Sequence, residues 1–314
     1  MRPLSAAKHT DTLVRCRVAG RAYAFDALDV RFIARSDQVA PGDSDEDARV
    51  GTLRGREPIP VFSLGGLLHP SDASGESAHV VITGGGDDRA GWLVDRIMRA
   101  PNERTAARLT LPALAGPVAR RWFPALLDED DGEPALVCSP AGIDPRARTA
   151  PPLPDLPAPP IGLPPLGAGR GVVALFSSAA LPSCGASRFA VAGTRIVSVV
   201  QSLPTRPVPG TPSHISAIAP WRGVAIPVLD LSRGAGVPDD TARGRHLIVR
   251  YGSGSSGTVM AIPIDRDVVL HRASHDDAYL TQPDGAPHGM QLFAVRGEAV
   301  ALVDLDSLTA SYAA

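Results

Sequence analysis

The chain has 314 residues, and its 31 Lys and Arg against 33 Asp and Glu leave a formal net charge of −2. Charges of both signs are interspersed, so no basic face or tail announces a nucleic acid or an anionic lipid as partner. Cys16, Cys138 and Cys184 form no CxxC pair and are odd in number, which fits a reducing compartment with thiols that behave as small apolar residues.

Residues 1–11 read as an N-terminal arm, without the apolar core of a secretory signal. The run LVRCRVAGRAYAFDA alternates apolar with polar residues around Gly20, as a β-hairpin should. DALDVRFIAR (26–35) is a candidate helix, as is LPALAGPVARRWF (111–123), the latter interrupted by Pro117. HVVITGGGDDRAGWLVDRIMRA (79–100) carries two β-rich runs about a glycine-aspartate turn, and RHLIVRYGSGSSGTVMAIPI (245–264) repeats that layout. Between these lies a stretch in which eight of the fifteen residues from 151 to 165 are proline. It should be extended polyproline-II, a semi-rigid spacer on the order of 45 Å long. A proline-rich ligand role for it is the alternative. The longest apolar run, residues 171–181, is broken by Ser177-Ser178 and is too short to cross a bilayer. A cytoplasmic protein with no direct membrane insertion is the expectation. Many short strands between Gly/Pro turns argue a mainly β protein of small barrels or sandwiches, with cores of Val, Ile, Leu and Ala because aromatics are only 4% of the chain.

The chain also repeats itself. The same 168 positions separate Pro41-Gly42 from Pro209-Gly210 and Arg54-Gly55 from Arg222-Gly223. Tyr23-Ala24-Phe25 answers Phe189-Ala190-Val191 and Val30 answers Ile196, both at an offset of 166. Val94-Asp95-Arg96 answers Ile264-Asp265-Arg266 at 170, and Ala135-Leu136-Val137 answers Ala301-Leu302-Val303 at 166. Solenoid and propeller repeats run at roughly 20–50 residues, so this period means a duplicated domain.

These landmarks resemble the CheW-like family, adaptor modules of bacterial chemosensory arrays. That family's pattern runs through a y-A-l strand, a V-x-x-V step, a v-P-G-x-P turn, G-x-x-x-x-R-G, i-P-V-x-D-L, G-L-x-V-D-x-V and a closing i-l-D strand. The second copy matches at Phe189-Ala190-Val191, Ile196/Val199, Val208 to Pro212, Trp221-Arg222-Gly223, Ile226 to Leu231, and Ile264-Asp265. The first matches at Tyr23-Ala24-Phe25, Val30/Ile33, Pro41-Gly42, Leu53-Arg54-Gly55, Pro60-Val61 and Gly91 to Asp95. Departures are Ser63 in place of the D-L aspartate, an extra residue between Gly55 and Pro60, and Pro263 within the second V-D strand. The resemblance implies a divergent domain 1 over 12–148, a linker over 149–170 and domain 2 over 171–314, each domain a pair of SH3-like five-stranded β-barrels with few short helices. It further implies a non-enzymatic adaptor joining chemoreceptor cytoplasmic tips to the regulatory domain of a CheA-type histidine kinase. A small-molecule or peptide-binding sensor on the same barrels is the alternative.

Glycine permits an unusual turn, and arginine projects a rigid fork of donors from it. Arg222 and Gly223, with Trp221 and Asp230, are therefore the leading partner-binding candidates, followed by Arg54 and Gly55. Arg222 reads otherwise as the ion-pair partner of Asp230, and Trp221 as a core residue. The fuller motif of the second copy marks it as the one that keeps the ordinary partner contact. Pro60 and Pro227 should stand at a strand start or edge, because proline donates nothing to a ladder. Residues 252–257 spell GxGxxG, but the segment after them is β-rich rather than helical, so a hairpin tip is expected instead of a dinucleotide site. The eight histidines show no HExxH or Cys/His ligand spacing, residues 128–133 do not follow an EF-hand loop, and no nucleophile elbow or P-loop is present. No catalytic residue, cofactor or metal is expected.

Overall fold

The computed structural model describes residues 13–42, 48–55, 57–70, 77–98, 106–129, 133–147, 172–181, 186–231, 244–252, 258–265, 268–272 and 290–313. The N-terminal arm, the proline-rich linker, Cys184, His275 and residues 253–257 lie outside them. Two compact units divide chiefly between Pro152 and Leu153.

The first unit opens as a hairpin of β1 (Leu13–Val18) and β2 (Arg21–Asp26) in antiparallel register, Val18 opposite Arg21. Ala19 and Gly20 both take positive φ, at 48° and 74°, which is the type I′ turn whose twist matches the flanking strands. There follow β3 (Val30–Arg35), β4 (Val39–Pro41), β5 (Arg49–Leu53), β6 (Ile59–Ser63), helix α1 (Leu64–Leu68), β7 (His79–Thr83), β8 (Ala90–Val94), β9 (Arg96–Met98) and β10 (Ala106–Thr110). Helix α2 (Gly116–Trp122), β11 (Ala125–Glu129), β12 (Ala135–Cys138) and α3 (Pro140–Ile143) complete it. One sheet runs β10-β11-β12-β2-β1-β9 and the other β3-β7-β8-β6-β5-β4.

The second unit contains β13 (Val172–Leu181), β14 (Ala186–Ala192), β15 (Ile196–Val200), β16 (Ile215–Trp221), β17 (Val224–Leu229), β18 (Arg245–Tyr251) and β19 (Thr258–Ile264). It ends with β20 (Val269–Arg272), β21 (Met290–Val295), β22 (Glu298–Val303) and α4 (Leu305–Ala313). Its sheets run β20-β13-β14-β22-β21 and β15-β18-β19-β17-β16. Reading β1 as β13 and onward, these orders repeat those of the first unit. The first unit's sheets have six strands where the second's have five, because β10 and β4 are added at their edges. The fold is mainly β, two tandem modules of the SH3-like class with few short helices.

Local irregularities repeat as well. The β3–β7 ladder slips between Val30 and Phe32, and β15–β18 slips between Ile196 and Ser198. Those are equivalent residues, so each V-x-x-V step contains a β-bulge, which twists and bends a strand. Proline placement repeats too, and it corrects the edge expectation, since β6 and β17 are both central strands. Their parallel ladders begin one residue after the proline, at Val61 opposite Gly91 and at Val228 opposite Ala261. A missing N–H is tolerated there because the ladder has not started.

Each sheet builds a small apolar cluster. Leu53, Ile59, Val61, Val80 and Ile82 form one in the first module; Leu203, Ala217, Ala219, Ile226, Val228, Ile248 and Ala261 form its counterpart in the second. A Cβ on Gly91 would fall 2.8 Å from Val80 Cγ1 and 3.0 Å from Val61 Cγ2, so the G-L-x-V-D glycine is required by close packing. Trp92 is fully buried and donates its Nε1–H to Thr83 Oγ1 at 2.8 Å. Tyr23, also fully buried, meets His69 Nε2 at 2.6 Å, while Arg21 donates to His69 Nδ1 at 2.9 Å. A guanidinium only donates, so Nδ1 accepts, the ring is neutral, and Nε2–H points at the tyrosine oxygen. In the second module Phe189 stands there and stacks on Phe176, centroids 5.8 Å apart.

Neither helix expectation survives unchanged. Residues 30–35 form strand β3 instead, entered through a turn in which Leu28 N–H donates to Asp26 Oδ1 at 3.0 Å. Pro117 does not break the second helix; it is the second residue of α2, where its missing N–H has no intrahelical partner to lose. Cys16 and Cys138 are buried thiols. Burial, with Asp95 nearby, pushes the Cys16 thiol up to about 12, so it is inert.

Candidate functional site

The Arg-Gly pair of the second module occupies a two-residue hairpin between β16 and β17. Arg222 has φ 50° and Gly223 φ 78°, again a type I′ turn, whose first position ordinarily favours Asn, Asp or Gly. An arginine held in the left-handed region costs roughly 1–2 kcal/mol relative to glycine. Arg222 and Gly223 are exposed, and Val224 beside them is 48% exposed. Trp221, the last residue of β16, is half-buried and packs on the Leu203–Ala219–Ile226 cluster. It is thus partly a core residue, placed immediately before the tip.

Asp230 is not part of this group. It follows β17 at the opposite end from Arg222, and the six residues of that strand alone span about 17 Å, too far for an ion pair. Its backbone N–H donates to His214 O at 2.9 Å, and the equivalent Ser63 N–H donates to Ala48 O at 2.8 Å. Ser63 is also the N-cap of α1, accepting from Gly66 N–H at 2.9 Å. What the two modules share at this position is the backbone hydrogen bond, while the serine of the first also caps a helix, a role for which serine and aspartate are near-equivalent.

Arg54 and Gly55 share the letters of the second module's tip but not its backbone. Five residues, 54–58, connect β5 to β6, and Gly55 is outside the left-handed region, with room for a Cβ 3.6 Å from Glu57 O. Glycine is not required there. What the loop makes instead is a cavity of about 420 Å³ lined by Phe32, Gln38, Leu53, Arg54, Gly55, Glu57, Ile59 and Arg89. Arg89 pairs with Glu57 at 2.8 Å. Phe32 is 47% exposed and Ile33 41% exposed, both on the edge strand β3. Sequence reasoning missed Phe32, Glu57 and Arg89, because the loop that joins them is a local insertion.

It also missed a second Arg-Gly tip. Arg296 (φ 52°) and Gly297 (φ 84°) form the type I′ turn between β21 and β22, both exposed. The available signal was a dipeptide flanked by two alternating apolar runs. A further cavity of about 410 Å³ in the first module brings Asp29, Asp88 and Asp144 together. Burial, with Asp26 adding to it, raises Asp29 above the usual carboxylate range, and Arg146 holds Asp144 at 2.7 Å. Among the described residues no cluster of three His, Cys, Asp or Glu side chains could hold a metal. Among them, too, no helix is long and apolar enough to cross a membrane. Strands β18 and β19 pair from Arg245–Ile264 up to Tyr251–Thr258, which makes the GxGxxG stretch the connection of a hairpin.

No curated protein matches the chain. Among solved structures it is similar to the scaffolding protein TtCheW from Thermoanaerobacter tengcongensis, at 18% identity and a TM-score of 0.34, over 41% of this chain and 88% of that one. The model of the CheW-like domain matches residues 12–141 and again residues 180–279. With both halves matched and both built on one repeated strand order, the chain belongs to the CheW-like domain family.

Proposed function

We propose that the protein is a non-enzymatic tandem adaptor in bacterial chemosensory signalling, coupling chemoreceptor cytoplasmic tips to the regulatory domain of a CheA-type histidine kinase. The observation that carries this reading is the double match to the CheW-like domain, one per module. On this reading the protein works in the cytoplasm. Arg222 is the principal contact, Gly223 allows the turn that presents it, and Trp221 stiffens its base. Arg54 serves the first module. Two weak contacts on one chain raise avidity through effective concentration when the spacer can span both sites.

The test is co-sedimentation of the full-length chain with receptor tip fragments and with the kinase regulatory domain. Binding to at least one, weakened by Arg222→Ala, is expected; binding to neither overturns the reading. The cavity beside Phe32 favours a second reading, a small-molecule or peptide sensor. A ligand-dependent rise in melting temperature, with no binding to receptor or kinase, would identify it.

A further inference from the structure

The two modules share a strand order but not the surface beside the Arg-Gly step. In the first, exposed Phe32 on β3 forms one wall of the cavity of about 420 Å³, over a floor of Leu53 and Ile59. Leu53 and Ile59 also belong to the buried cluster, so the floor is rigid. Glu57 and Arg89 neutralise one another at the rim, 2.8 Å apart. Arg54 remains: its side chain has no ion pair among the described residues and stands exposed on the same rim. The cavity's size lies at the low end of ligand pockets, enough for one or two side chains. Among the described residues, its rim carries one guanidinium with no acidic partner above an apolar floor. That combination complements an apolar side chain with a carboxylate beside it, since a guanidinium fork pairs with a carboxylate.

The second module lacks these features. Ser198 stands at the position of Phe32, Trp221 at that of Leu53, and the two-residue turn leaves no counterpart of Glu57. We infer that the first module docks a protein segment of its own, one that inserts an apolar side chain between Phe32 and Ile59 and gives a neighbouring carboxylate to Arg54. The inference rests on the adaptor reading for its biological sense but not for its chemistry. It leaves the ordinary contact with the second module, as the sequence led one to expect, and makes the two modules recruit different partners.

The test pans a phage-displayed library of random short peptides against the full-length chain, then measures the best peptides by fluorescence anisotropy. The expected consensus places Leu, Ile or Phe next to Asp or Glu. Arg54→Ala should weaken binding about tenfold and remove the dependence on the acidic residue, a loss consistent with one charge-assisted pair. Phe32→Ser, which installs the second module's residue, should weaken it about tenfold or more through lost apolar contact. Both side chains are exposed, so melting temperatures within error of wild type will show that the variants fold. A library with no enrichment, a consensus without acidic residues, or peptides whose affinity ignores both substitutions each overturns the inference. Receptor and kinase fragments assayed on the same variants separate the two ideas. Fragments that bind wild type and both variants equally, with no peptide consensus, sink the pocket and leave the adaptor. A consensus obeying both substitutions, with neither fragment bound, does the reverse.

Discussion

Replacing Arg222 with asparagine should relieve backbone strain while making the protein a poorer binder. Its φ of 50° places it at the first central position of a type I′ turn, followed by Gly223 at 78°. Asparagine visits that region far more readily than arginine, and the difference is about 1 kcal/mol. For a module of roughly 140 residues the unfolding entropy is about 0.3 kcal/mol per kelvin, so Arg222→Asn should raise the melting temperature by about 3 °C. Arg222→Gln is the matched control: it removes the same charge and leaves the strained backbone. The Asn and Gln variants should therefore bind partners equally poorly but melt about 3 °C apart, which differential scanning calorimetry of the full chain can resolve. Equal melting temperatures would refute the strain argument. Destabilisation of both variants by more than about 1 kcal/mol would show instead that the arginine is structural.

Gly91→Ala should destabilise the first module by about 1–3 kcal/mol in urea unfolding, because the new Cβ meets Val80, Val61 and Ile82 side chains. Ser63→Ala should cost about 1 kcal/mol whereas Ser63→Asp should be near neutral, since the α1 cap survives only in the latter. Burial pushes His214 down to about 4. A group whose folded value lies below its unfolded one contributes stability above the unfolded value and loses it as pH falls, here between about 6.5 and 4. Because the ring is only half-buried, the loss should be about 1–2 kcal/mol, and His214→Gln should flatten it in a pH series of denaturant midpoints.

The duplication was legible because the residues that repeat are those with a backbone or packing duty. Pro60 and Pro227 precede the parallel ladders, Val30 and Ile196 open the bulges, and Gly91 and Ala261 are small residues opposite the first residue of each parallel ladder. The misread helix at 26–35 shows the converse. Leu28, Phe32 and Ile33 are spaced like a helical apolar face, but reading that spacing assumes apolar residues are buried; here they are 87%, 47% and 41% exposed. Surface apolar residues produced a core-like rhythm. At the candidate site the Arg-Gly letters were visible twice, yet their conformations depend on loop length, two residues against five. Arg296-Gly297 escaped notice because it falls outside the repeated motif order.

In each module an early strand lies parallel to a late one, Tyr23 beside Leu136 and Phe189 beside Ala301. Contacts so distant in sequence slow folding, because closing a long loop precedes any reward. During synthesis β2 waits with one edge open until β12 has been made, and β14 waits likewise for β22. Ribosome-bound chains halted before residue 135 or before residue 298 should therefore remain protease-sensitive in the module under construction, a vulnerable interval that the cell must shelter twice per molecule.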